Sequence, residues 1–181
     1  MPIISPAGGA SLGSVTSVTG TAAAGQVPVA SSSSASAWGY PPGFEINYTQ
    51  ITSPVTIASA TEATGTTIIS PGAITFDGTA VLCHFFAPSM HVDSSAIGDQ
   101  LVVSLFEAST QIGRLTVNNS LSTTTLIRSP LTGFLRFTPT AASHTYTVTA
   151  FATSTTGTPQ IIAGAGGTGV EVPAFVRFTK V

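Results

Sequence analysis

Residues 144–152, HTYTVTAFA, alternate Tyr146, Val148 and Ala150 with Thr145, Thr147 and Thr149. Successive side chains of a strand point to opposite faces, so the segment predicts a wall with an apolar core side and a hydroxyl-bearing water side. The same period opens FEINYTQI, residues 44–51, where Phe44, Ile46 and Tyr48 alternate with Glu45, Asn47 and Thr49. Between and beyond them lie PVTIA near Pro54, TTIIS near Thr66, AITF near Ala73, AVLCHFFA from Ala80, LVVSLFE from Leu101 and QIGRLTV from Gln111. TTTLI near Thr123, GFLRFT from Gly133, QIIAG near Gln160 and PAFVRFTKV at the C-terminus complete the series. Turn formers punctuate it at Ser70-Pro71-Gly72, Asp77-Gly78, Ser129-Pro130 and Gly157-Thr158-Pro159. About ten short strands without an amphipathic helix predict an all-β fold, an antiparallel β-sandwich of the jelly-roll kind.

Two segments break the one-sided pattern. In AVLCHFFA, Val81, Cys83 and Phe85 share one face, and Leu82, His84 and Phe86 the other. In LVVSLFE, Leu101, Val103 and Leu105 oppose Val102, Ser104 and Phe106. A two-layer sandwich offers each sheet a single core face, so these strands need a second cover. The reading expects that cover to be another copy of the chain in a symmetric homo-oligomer, with Leu82, His84, Phe86, Val102 and Phe106 as interface candidates. A loop or the N-terminal segment folding back over the sheet is the alternative cover.

Residues 1–43 differ from the rest: no charge, few large apolar side chains before Trp38, and a break at Pro41-Pro42-Gly43. They read as an extended low-complexity arm ahead of a sandwich domain at 44–181. At about 3.3 Å per residue such an arm spans on the order of 140 Å. Trp38 and Tyr40 are its anchor candidates, because large aromatics dominate interface energy; packing of the linker onto the body is the alternative.

Only 7% of the 181 residues are charged, against roughly 25% in an ordinary soluble domain. Five basic residues and a net charge of -2 leave no footprint for nucleic acid. No run approaches the length of a membrane span, and the first residues lack a basic and apolar leader, so neither a membrane partner nor export by that signal is expected. Cys83 stands alone and reads as a small buried apolar residue. Asn47-Tyr48-Thr49 and Asn118-Asn119-Ser120 fit the glycosylation acceptor by chance in a Ser/Thr-rich chain.

Chemical motifs carry little. Gly164-Ala165-Gly166-Gly167-Thr168-Gly169 fits G-x-G-x-x-G, but VEVPAFVRF follows as a strand, not the helix that a pyrophosphate needs. Gly9-Ala10-Ser11-Leu12-Gly13 fits a nucleophile elbow but sits in the arm. His91 and Asp93 are two apart without a third ligand, and His84 reads as a packed, hydrogen-bonded interface histidine rather than a metal ligand. The reading therefore expects no catalytic residues, no cofactor and no metal.

The stretch Gly20-Thr21-Ala22-Ala23-Ala24-Gly25-Gln26-Val27-Pro28-Val29-Ala30 with Trp38-Gly39 resembles the N-terminal segment of tailed-bacteriophage virion proteins, especially of actinobacteriophages. FEINYTQI, AITFDGTAVLCHFFAP, FTPTAASHTYTVTAFA and GAGGTGVEVPAFVRFTKV extend the likeness over most of the chain, to a body similar to trimeric tumour-necrosis-factor/C1q-like jelly rolls. The resemblance implies a homotrimeric capsid decoration protein, non-enzymatic, docked by its arm on the major capsid protein or other virion proteins. It would be assembled in the host cytoplasm and displayed on the particle exterior. A minor tail or fibre component, or a module binding a host surface glycan, is the alternative. The glycan reading calls for exposed aromatics clustered with carboxylates, and the linear sequence displays none.

Overall fold

The computed structural model describes residues 18, 20–22, 24–30, 36–92, 98–119 and 128–181. The TTTLI stretch, Asp93, Ser120 and the Gly9–Gly13 pattern lie outside the described residues. The chain divides into two units, Met1–Phe44 and Glu45–Val181.

In the first unit the chain doubles back where the sequence reads as one extended arm. Strand β1, Val27–Ala30, pairs antiparallel with β2, Ser36–Gly39, with Pro28 opposite Trp38. The Trp38 indole Nε1 donates to the Gly20 carbonyl at 3.0 Å, and the Tyr40 ring stacks on Phe44 at 4.7 Å. Both anchor candidates thus have partners within this unit.

The second unit is a jelly-roll β-sandwich. One sheet has the order β5-β10-β7-β8: β5 is Thr66–Thr75, β10 Ser143–Ala152, β7 Gln100–Glu107 and β8 Thr110–Asn119. The other is built on β6, Val81–His91. Along one edge of β6 run β12, Ala174–Lys180, opposite residues 81–86, and β11, Gln160–Ile162, opposite Ser89–His91. Along the other runs β9, Ser129–Phe137, while β3, Glu45–Ile51, pairs beyond β12 and β4, Val55–Thr56, beyond β11. Every pairing is antiparallel.

The alternation read from the sequence becomes the core. Tyr146, Val148 and Ala150 of β10 face Val81, Cys83 and Phe85 of β6 and Val176 and Phe178 of β12 in one buried cluster. Phe76, Phe137 and Phe178 surround Tyr146, with ring centroids 5.5 to 5.8 Å from it. Burial raises the Tyr146 hydroxyl to about 12 and the Cys83 thiol likewise to about 12, so both stay neutral. The two sheets meet where β8 crosses β9: a Cβ on Gly133 would lie 2.6 Å from the Leu115 carbonyl carbon.

Three expectations are corrected by the ladders. Ser70-Pro71-Gly72 does not separate two strands; it is a bulge inside β5, with Tyr146 opposite Gly72 and Val148 opposite Ile69. Gly72 supplies the positive φ of 82° that the bulge requires, and β5 is an edge strand, where proline removes no needed donor. Pro88 and Pro130 also lie within strands. They share one irregularity, between the pairs Ala87–Leu131 and Met90–Ser129, where the ladder is interrupted.

The third correction concerns β7. Val102 and Phe106 are buried within the single subunit, at 1% and 9% exposure, and need no second copy. The chain's own segment ahead of β5, which carries a 3-10 turn at Glu62–Thr64, reaches the same face at Ser104, between the two. Glu62 fastens that segment down: its carboxylate accepts from Ser104 Oγ at 2.6 Å, Gln111 Nε2 at 2.6 Å, and Arg114 Nε and Nη2 at 2.9 and 2.7 Å. A cavity of about 250 Å³, lined by Glu62, Thr67, Phe106, Thr147 and Thr149 among others, marks the seam between this segment and the sheet.

The Arg114 hydrogen bonds hold the Glu62 carboxyl well down, from 4.5 to about 2, against the opposing effect of burial and with help from Ser104. A depressed carboxyl stabilises the fold above its unfolded value and loses that contribution as pH falls through the folded one. The thermal midpoint should therefore drop between pH 4.5 and 2 more steeply in the wild type than in Glu62→Gln, the two curves converging at pH 2. Parallel curves would refute the latch.

Candidate functional site

The outer face of the β3-β12-β6-β9 sheet is assembled by register, one residue from each strand per row. Tyr48 lies opposite Arg177, Arg177 opposite His84, and His84 opposite Phe134. The next row runs Gln50, Phe175, Phe86, Thr132, and the row on the other side Glu45, Thr179, Leu82, Arg136. Of the expected interface residues, Leu82, His84 and Phe86 stand together on this face, half-buried; Val102 and Phe106 are in the other sheet.

The rings form a continuous band. Tyr48 and Phe175 have centroids 5.2 Å apart, Phe175 and Phe86 5.4 Å, and Phe175 and His84 5.2 Å edge to face. His84 stacks on Phe134 at 4.4 Å with an interplanar angle of 17°. Tyr48 is 44% and Phe134 57% exposed, the latter the largest value among the exposed large hydrophobics described. The polar groups between the rings are oriented: Tyr48 OH donates to Gln50 Oε1 at 3.1 Å, and His84 Nε2 lies 3.0 Å from Thr132 Oγ1.

Arg177 sits in the middle of this band. Its Nη2 lies 3.3 Å from His84 Nδ1. A guanidinium only donates, so Nδ1 accepts and the imidazole proton belongs on Nε2, pointing at Thr132. Desolvation and then the Arg177 charge lower the His84 pKa, which keeps the ring neutral in that tautomer. Arg177 Nε is buried with no hydrogen-bond partner, and among the described residues no carboxylate forms an ion pair with Arg177.

Elsewhere several titratable groups are engaged in holding the fold. His144 donates from Nδ1 to Glu107 at 2.5 Å, and its Nε2 faces the Thr140 carbonyl at 3.0 Å; the Glu107 bond raises its pKa. Lys180 pairs with Asp77 at 3.0 Å. His91 is buried in β6. The Gly164–Gly169 stretch is a loop leading into β12, with Gly166 N donating to the Glu171 carbonyl at 2.9 Å. Among the described residues no group of three His, Cys, Asp or Glu could hold a metal, and no helix is long and apolar enough to cross a membrane.

No family model and no curated protein matches the chain. Among solved structures it is similar to Eiger TNF from S. frugiperda, with 13% identity, 78% of this chain and 94% of that chain covered, and a TM-score of 0.40. It is similar also to the carbohydrate-binding module CBM6cm-2 from Cellvibrio mixtus lichenase 5A in complex with cellotriose, at 12% identity, 77% and 92% coverage, and a TM-score of 0.33. A third is the C-terminal CBM6 of LamC from Zobellia galactanivorans, at 14% identity, 76% and 91% coverage, and a TM-score of 0.30. These likenesses concern the fold alone.

Proposed function

We propose that the protein is a non-enzymatic binding module whose aromatic sheet face engages carbohydrate. The observation that carries this reading is the row Tyr48–Arg177–His84–Phe134 with Phe175 and Phe86 beside it. Pyranose rings present apolar faces that pack on aromatic rings, and hydroxyls that need donors and acceptors between those rings. Tyr48, Gln50, His84 and Thr132 supply the polar groups in fixed orientation.

Size supports a chain ligand over a subunit. Four strands about 4.8 Å wide and three two-residue repeats of about 6.7 Å along each give roughly 400 Å², against about 800 Å² per partner in a standard protein interface. The non-enzymatic part rests on Glu62, Glu107, Asp77, His144 and Lys180 being spent on structural contacts.

The test is affinity electrophoresis of the whole chain through gels containing neutral and acidic polysaccharides. Retardation is expected on at least one, and Phe134→Ala should weaken it about three- to tenfold, the worth of one aromatic contact. Free migration on the entire set would end the reading.

Self-association is the second reading, favoured by one observation. Glu45 and Arg136 close opposite edges of the same row, exposed and without an ion-pair partner among the described residues, as a head-to-tail ring would use them. The trimeric virion decoration role belongs with this reading and is supported by the sequence resemblance. A stable trimer by light scattering, lost in Glu45→Arg and restored in Glu45→Arg/Arg136→Glu, is its expected result; a monomer throughout rejects it.

A further inference from the structure

We propose that the aromatic face recognises a carboxylate-bearing oligosaccharide, a uronic acid polymer in chemical class, with Arg177 as the residue that reads the acid. The inference rests on the carbohydrate reading of this face and names its ligand. In a chain with five basic residues, two are fastened to carboxylates of their own subunit, Arg114 to Glu62 and Lys180 to Asp77. Arg177 instead stands in an aromatic band with a neutral histidine as its hydrogen-bond partner and an enclosed Nε without a hydrogen-bond partner among the described residues. A cation half-buried among rings without an anion is unfavourable to maintain, and burial of an unpaired donor adds to the cost. A ligand's anion would pair the guanidinium through its Nη groups, since the enclosed Nε is out of reach.

Geometry selects the anion. The guanidinium is planar and forked, and a carboxylate matches it with two parallel hydrogen bonds. Tyr48 and Phe175 stand beside it and Phe134 beyond His84, so the acid is best presented on a ring that packs on this band, which a uronic acid residue provides and a free small anion does not. No carboxylate among the described residues is ion-paired with Arg177, so the ligand's acid meets no competitor of that kind there. His84 keeps the fork in place from one side: its proton is committed to Thr132, leaving Nδ1 as the acceptor that orients Nη2.

The experiment is calorimetric titration of the full chain with tetragalacturonate and with its methyl ester, which keeps the ring and removes the charge. The free acid should bind at least tenfold more tightly than the ester, and added salt should narrow that gap. Arg177→Gln should remove the preference, bringing the acid to the ester's affinity for the same variant, with folding verified by its thermal midpoint. Arg177→Lys should keep part of the preference, since it retains the charge without the fork. Equal affinity for acid and ester in the wild type overturns the inference and leaves the carbohydrate reading standing. Binding of neither form overturns the inference; the carbohydrate reading falls with it only if the chain also migrates freely through the whole set of polysaccharide gels.

Discussion

Gly133→Val should cost at least about 3 kcal/mol of the body's stability, the top of the range for overpacked cores, because the obstacle is backbone. A side chain at Gly133 would enter the Leu115 carbonyl group, and neither β8 nor β9 can yield without parting the crossing that joins the two sheets. Single domains have only about 5–15 kcal/mol in total, so the loss is large. Urea denaturation checks it through the midpoint. Phe134→Ala, the next residue along β9 with its ring on the outer face, is the control and should shift stability by less than about 1 kcal/mol. A Gly133→Val protein with an unchanged midpoint would mean that β8 and β9 are not in contact here.

Lys180→Met should destabilise by about 3 kcal/mol, through what it leaves behind. Asp77 and Lys180 are 14% and 9% exposed at their side chains and joined at 3.0 and 3.2 Å, tying the last strand to the turn after β5. Asp77 also accepts from the Thr79 amide at 3.1 Å and from its hydroxyl. Removing the ammonium strands a largely enclosed carboxylate, which costs far more than the net value of the pair. The companion Asp77→Asn/Lys180→Met should recover most of the loss, since an amide still accepts from Thr79 and carries no charge. A double-mutant cycle by denaturant unfolding measures this; additive losses would refute the coupling.

What the sequence made legible was the period of single strands. Tyr146, Val148 and Ala150 are core residues because alternation fixes a face without reference to any neighbour. The same logic located Val81, Cys83 and Phe85. It failed where a second chain segment decides the outcome. Val102 and Phe106 looked uncovered because nothing in LVVSLFE announces that Glu62, some forty residues earlier, bonds across to Ser104. Ser70-Pro71-Gly72 looked like a turn because its composition suits a bulge equally, and only the pairing with β10 separates the two.

The aromatic face was missed for the same reason. Tyr48, His84, Phe134 and Arg177 come from four strands far apart in the chain, and each segment shows one or two rings. The signal available was the outward phase of four strands read together: each places an aromatic or a basic group out of register with its core residues. Without the strand order those phases cannot be aligned, so the rings show as a band only across the sheet.

The bulge at Pro71 bears on what an exposed sheet rim can do in so charge-poor a chain. An open ladder rim with no lysine to repel newcomers invites another molecule's strand to zip alongside and start a fibril. Pro71 has no amide hydrogen to offer, and the kink beside it bends the rim out of line. Contact along that border is thereby discouraged, which leaves lateral growth blocked at β5.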